Sequence, residues 1–454
     1  MSSEQRPVAV IGAGIAGLTA AHFLRRNGVP VIVFEGGQQI AGFARSYVDD
    51  RGFHYDFGAH FITNRLAAAI GVGAQCRDVA YYGESVLVKG RTHSYPFGLM
   101  TVPRFALGGV KAKLGGLFSS STAETAEDWS RAEYGHALAE EVSIPILEAW
   151  SGAPASELSA AVGQKIQNSI GRTAYLKLCS RLRRRAVSIG YSHEMPEGPN
   201  VWHVYPEGGV SLLCERLAAD LSDVIELESP VERIEVTGNR VASITAGGRE
   251  HDVAAVVSTV PLPILPKLVQ GTDALAPLAR FKFRPMLFVC LRFETRGILP
   301  DTVLWTAGSG LPFFRLTETP LSMPWLAPEG KTLITADIGC QVGDEVWKTD
   351  DEVLGERCVE ALATMYPRIR ETYSGCRVLR TPIAYPIYLN EYEADRRRFA
   401  QDLGVDGLYS IGRNGEFAHI LMEDTYWRTL NKMNELIRDL QQSDAAARPA
   451  MATR

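Results

Sequence analysis

The stretch VAVIGAGIAGLTAAHFLRRNGVPVIVFE, Val8 to Glu35, constrains the fold more than any other. Val8 to Ile11 is a short, apolar, largely β-branched run, the composition of a strand buried in a parallel sheet. Gly12, Gly14 and Gly17 follow, and Ile15 and Ala16 open a helix that carries Leu18, Ala21, Phe23 and Leu24. Gly12 makes the tight turn, Gly14 lets backbone approach phosphates, and Gly17 lets the helix lie on the strand. Free N–H groups and the dipole at that helix N-terminus favour a pyrophosphate. Gly28 leads into a second strand, Val31 to Phe34, which ends on Glu35. An acid about 20 residues beyond the glycines takes ribose hydroxyls, and it repels a 2′-phosphate. The residues therefore predict a dinucleotide site and leave NAD and FAD open.

At 454 residues the chain is too long for one ordinary core, so two domains, interleaved or not, are expected. The formal charge of −5 gives no electrostatic reason to expect nucleic acid or an anionic membrane. Two basic clusters, Arg181 to Arg185 and Asp395 to Phe399, read as solvated helix faces, or else as an anion-binding wall of a substrate pocket. The seven cysteines form no C-x-x-C pair, which fits a reducing compartment, and the nine histidines show no metal-binding spacing. No apolar run reaches the roughly 18 residues of a membrane span. A strand starts close to the N-terminus with no leader pattern ahead of it, so a cytoplasmic enzyme with a small-molecule substrate is expected. The oligomeric state is not legible.

The segment EGGQQIAGFARSYVDDRGFHYDFGAHFI, Glu35 to Ile62, distinguishes between the two dinucleotides. It resembles the flavin amine oxidase and protoporphyrinogen oxidase superfamily, in particular the branch containing UDP-galactopyranose mutase. That family follows its acid with a G-G-x-x-R-[ST] loop and a D-x-G-x-H segment. The matching residues here are Ala41, Gly42, Phe43, Ala44, Arg45 and Ser46, then Asp56, Phe57, Gly58, Ala59 and His60. Ala41 replaces the first glycine of the loop, a departure expected to shift the local backbone. The resemblance continues through GRTHSYPFG (Gly90 to Gly98), the helical segment Trp129 to Ala161, VYPEGGVSLLCERLA (Val204 to Ala218), the meander from Ser229 to Pro261, and GLYSIGRNGEFAHILMEDTYWRTL (Gly407 to Leu430).

The resemblance implies non-covalent FAD. The loop and Arg45 would lie along its pyrophosphate, backbone at Val231 would contact the adenine, and Gly412, Arg413 and Asp424 would line the flavin. It implies an α/β chain: a Rossmann-type FAD-binding domain interleaved with an α+β substrate domain that holds a mixed sheet and a helical subdomain. The expected segments are 1–94, 203–261 and 401–440 for FAD, 95–202 for the helical subdomain and 262–400 for the substrate sheet, with a disordered tail at 441–454. Gly108 to Ser130 reads as a polar, Gly/Ser-rich surface excursion. No metal site is expected.

The chemistry implied is two-electron oxidation of a small molecule. The alternative is a redox-neutral sugar-nucleotide mutase, which requires arginines placed to clamp a diphosphate. Arg413, Arg315 and His60 are the candidate catalytic residues, although a lone histidine is more often structural. Tyr385 and Tyr388 are as readily pocket as core, whereas Tyr95 and Trp150 read as core.

Overall fold

The computed structural model describes residues 6–116, 123–166, 170–308 and 310–447. Its cofactor half is a five-stranded parallel sheet with the opening strand, Val8–Ile11, at the centre. Val31–Phe34 and Ala255–Ser258 flank that strand, and Ile225–Glu226 and Leu408–Ser410 form the edges. All four residues of the central strand are buried, as expected for a parallel strand covered on both faces. Helix Ile15–Arg26 covers the sheet through Leu18, Ala21 and Leu24 and packs on the last helix, Met422–Ala447. Arg25 and Arg26 close its final turn, where cations favour the dipole.

The meander expected after Ser229 is present: Val231–Thr237, Arg240–Ala246 and Arg249–Asp252 pair antiparallel before the chain re-enters the parallel sheet. The second large sheet has seven strands, in the order 373–386, 283–293, 332–339, 315–317, 303–305, 84–88 and 91–94. Strand Phe283–Phe293 alternates between its two faces. Leu287, Val289, Leu291 and Phe293 pack with Leu354, Cys358 and Leu362 of helix Asp351–Ala363. Met286 and Phe288 face the core shared with the cofactor half.

The structure differs from the sequence reading at three joins. Residues 84–94, expected in the first FAD segment, hydrogen-bond into the substrate sheet through Val303–Trp305. Much of the expected surface excursion is helical, in Pro103–Gly116 and Ala126–Tyr134, and its residues 117–122 lie outside the described residues. The last helix continues to Ala447, into the expected tail, and residues 448–454 lie outside the description.

Candidate functional site

The glycine loop has the shape that its spacing predicts. Gly12 sits at φ +97°, and a Cβ there would fall 2.3 Å from Thr259 Oγ1. A Cβ on Gly17 would fall 1.9 Å from the Gly12 carbonyl oxygen, so helix and strand meet there at backbone distance. Gly14 is different: the nearest protein atom to its Cβ position is the Ala41 carbonyl oxygen at 4.0 Å. The protein leaves that space open, which is the cradle a diphosphate requires.

Glu35 joins strand to loop. Its Oε2 accepts from Ala13 N–H and its Oε1 from Gly37 N–H, each at 2.8 Å. The remaining lone pairs of both oxygens suit a diol. Ser229 N–H donates to the Glu35 carbonyl, and Pro230 lies against Gly36, so the start of strand Val231–Thr237 borders the same end of the site. Ala41 adopts a left-handed conformation, φ +83°, of the kind a glycine supplies. Ala41 N–H donates to the Ala13 carbonyl, which holds the loop against Gly14. Gly42, Phe43 and Ala44 form a single helical turn, with Phe43 exposed. Arg45 folds back over this loop, its Nη2 donating to the carbonyls of Gln39 and Ile40. Its buried Nε finds no hydrogen-bond partner among the described residues.

The far ends of the chain close on the cradle. A Cβ on Gly412, at φ +78°, would fall 2.7 Å from Ala16 Cβ, so the loop carrying Arg413 presses on the start of the first helix. Gly58 joins the site from the other side, its Cβ position 3.4 Å from the Phe288 ring and 3.9 Å from Arg315 Nη2. Ala59 and His60 follow, and His60 Nδ1 stands 3.8 Å from Asp56 Oδ2. Asp56 itself is held by Ser46 Oγ and Tyr205 OH.

Asp424, expected to line the flavin, has another task. Its carboxylate is buried and accepts from Ser192 Oγ and from the N–H groups of His193 and Glu194. The first turn of the last helix thereby clamps the 192–194 loop. Arg428 binds the same loop through Glu194 and reaches back to Glu416, which accepts from Gly412 N–H. Arg428, one turn beyond Asp424, and Glu416 tie that clamped loop to Gly412.

On the substrate side, one cross-strand row supplies the polar groups. Phe288, Asp337, Arg315 and Trp305 are successive partners on neighbouring strands, so their side chains share a face. Arg315 pairs with the buried Asp337 and lies over the Trp305 ring. Burial works against the Arg315 cation, and Asp337 overrides it, so its pKa is raised. Arg413 is the contrasting case. Its guanidinium lies 4.7 Å from the centroid of Tyr385, and its Nε has no hydrogen-bond partner among the described residues. Burial lowers its pKa, partly offset by Tyr385 and reinforced by the charge of Arg315. Tyr385 packs edge-on to Trp150 at 5.2 Å, and His419 contacts Trp150 and Tyr388, each at 4.7 Å. The backbone N–H of His419 donates to Tyr388 OH.

Asp337 and His419 were not anticipated as site residues. A lone acid in the apolar strand TLITADIG was the available signal for the first. Trp150 is buried in the core as expected, and the same ring forms one wall of this aromatic group. The 181–185 cluster follows its solvated reading, whereas in the 395–399 cluster Arg396 is largely buried and lies over the Tyr388 ring. Residues 181–185 are exposed, and Arg396 and Arg397 pair with Glu393.

A family model described as flavin containing amine oxidoreductase matches residues 15–426. The chain belongs to this family. The family is one of flavin-containing oxidoreductases, and the cofactor is FAD. The chain is 24% identical over 292 residues to amine oxidase [flavin-containing] B of Sus scrofa, covering 58% of this chain and 51% of that protein. It is 25% identical over 284 residues to the lycopene-forming phytoene desaturase of Pantoea ananas, covering 56% and 55%. The chain thus spans about half the length of these curated relatives. In fold, the chain is similar to reduced UDP-galactopyranose mutase, with a TM-score of 0.77 at 18% identity over 95% of this chain and 96% of that one. A putative protoporphyrinogen oxidase from Exiguobacterium sp. 255-15 gives 0.73 at 18% identity over 97% and 100%. Among the described residues no helix is long and apolar enough to cross a membrane. The open Gly14 position and the unpartnered Nε atoms of Arg45 and Arg413 fit a bound dinucleotide.

Proposed function

We propose that this flavoenzyme carries out two-electron oxidation of a small-molecule substrate. The cofactor would be held non-covalently by the Gly12–Gly17 loop with Ile15 and Ala16, by Glu35, by residues 42–45, by Gly58 to His60, by Val231 and by Gly412 and Arg413. When bound, FAD supplies a hydride acceptor. The protein supplies orientation, exclusion of water and a cation. The observation that carries the reading is the environment of Arg413, whose described partner is the ring and hydroxyl of Tyr385 and not a carboxylate. Its positive charge is therefore free to meet negative charge that develops in the reaction. Arg315 stands next to it in charge but is neutralised by Asp337, so its role is to position Trp305 and the substrate. His60, beside Asp56, is placed to orient the Gly58 segment.

The mutase alternative draws less support. Of the arginines the sequence offered for a diphosphate clamp, Arg315 is paired with Asp337 and the 181–185 cluster faces solvent. The test is an anaerobic screen of candidate substrates against the oxidised protein, following the loss of flavin absorbance. A substrate that bleaches the flavin without oxygen supports oxidation. Turnover that begins only after chemical reduction, with isomeric product, replaces this reading by the mutase. Acid precipitation should also release all the yellow colour into the supernatant, and colour kept in the pellet would show a covalent link.

A further inference from the structure

Two helices of the 95–202 region carry their apolar residues on the wrong side. Helix Pro103–Gly116 turns Phe105, Ala106, Gly108 and Gly109 inward, with Gly108 packed at backbone distance on Gly135. Its Leu107, Val110 and Leu114 stand in solvent. Helix Ile170–Arg183 buries Thr173 and Leu176 and sends Lys177 inward, where its Nζ donates to the Tyr95 carbonyl. Its Tyr175, Leu178 and Leu182 stand in solvent. Both triplets have i, i+3, i+7 spacing, which makes one stripe on each helix, and the six residues are 55% to 75% exposed. Single exposed leucines need no explanation, but a stripe on each of two helices does. The helices flank one short segment: Lys177 lies over the Phe97 ring, and helix Phe97–Met100 packs on Pro103–Gly116 and leaves Met100 exposed.

Charge specifies what covers the stripes. The two helices contain Arg104, Lys111, Lys113, Arg172, Lys177, Arg181 and Arg183 and no acid, in a chain of formal charge −5. Lys113 pairs with Glu133 and Arg104 with Glu141, whereas Lys111 and Arg181 form no ion pair among the described residues. We propose that these helices dock the protein on an anionic lipid surface. The stripes would enter the boundary between headgroups and acyl chains, and the flanking cations would meet lipid phosphates. A second copy of this chain would bring the same cations face to face, which disfavours self-association through this patch. The whole-chain charge conceals the feature because acids elsewhere cancel it.

The test is flotation of the FAD-loaded protein with vesicles of phosphatidylcholine alone or mixed with phosphatidylglycerol. The expected result is roughly tenfold or greater preference for the anionic vesicles. Leu107→Glu with Leu178→Glu should abolish flotation while the flavin spectrum is retained, since both positions are exposed. Lys111→Gln with Arg181→Gln should reduce the anionic preference. Failure of the unmodified protein to float, equal flotation with both vesicles, or flotation unchanged by the leucine variants would overturn the proposal. So would a dimer in sedimentation that the leucine variants dissociate, because the patch would then be a protein interface.

Discussion

Arg315 and Asp337 are direct partners across two antiparallel strands, and they form an ion pair on the face that meets the cofactor half. Asp337 is fully buried. Removing one member of such a pair leaves an uncompensated charge, whereas replacing both with apolar residues of similar volume does not. Asp337→Ala should lower stability by about 3 kcal/mol. Arg315→Met combined with Asp337→Leu should restore most of it. Urea denaturation of the three proteins checks this, and a double variant no more stable than Asp337→Ala would show that the pair is not the source of the loss.

The three glycines of the cradle should respond differently to a side chain. Gly14 has room for one in the protein alone, so Gly14→Val should give a folded, colourless protein whose apo stability is nearly unchanged. Gly17→Ala places its Cβ in the Gly12 carbonyl and should disrupt folding itself. Far-ultraviolet circular dichroism with flavin absorbance separates the two. A yellow Gly14→Val protein would mean that the diphosphate lies elsewhere.

Arg413→Met should slow anaerobic flavin reduction about 10²-fold, the loss typical of removing one preorganised group that stabilises developing charge. Substrate binding should change little, since the interaction strengthens toward the transition state. Stopped-flow reduction over a range of substrate concentrations gives both quantities. A raised substrate Kd with an unchanged limiting rate would make Arg413 a binding residue.

His203 should make the fold sensitive to mild acid. It is buried among Phe61, Tyr82 and Tyr191, and burial lowers its pKa from 6.5 to about 4. Below about pH 6.5 the unfolded chain takes a proton that the fold does not, so stability falls as pH drops toward 4, by up to about 3 kcal/mol. His203→Phe should flatten that part of the profile. Urea midpoints of both proteins across this pH range test it, and parallel curves would assign the acid sensitivity to other groups.

The glycine loop and Glu35 were legible because strand, glycines, helix and acid all fall within Val8 to Glu35 and act as one βαβ unit. Asp424 was not. Its partner Ser192 lies 232 residues away, and the packing of the last helix on a distant loop decides which way the carboxylate points. Arg315 was legible as a candidate, but its charge state was not, because Asp337 reaches it only when the two strands pair. The helix over 103–116 was missed for a physical reason: Gly108 and Gly109, read as loop punctuation, lie on the buried face and let the chain approach Gly135 closely. Trp150, Tyr385 and Tyr388 were each visible singly, and only the tertiary fold assembles them around His419.

The central strand of the parallel sheet, Val8–Ile11, takes one neighbour from residues 255–258, and that neighbour in turn pairs with residues 408–410. The first helix rests on the last. The nucleotide half therefore cannot close until residues 408–410 and the helix beyond them have been made, whereas strands 283–293, 332–339 and 373–386 can pair before that. Such long-range closure is slow and exposes apolar edges while it waits. The βαβ unit of residues 8–34, unable to finish its own sheet, therefore keeps the edge of its central strand open until those distant segments arrive.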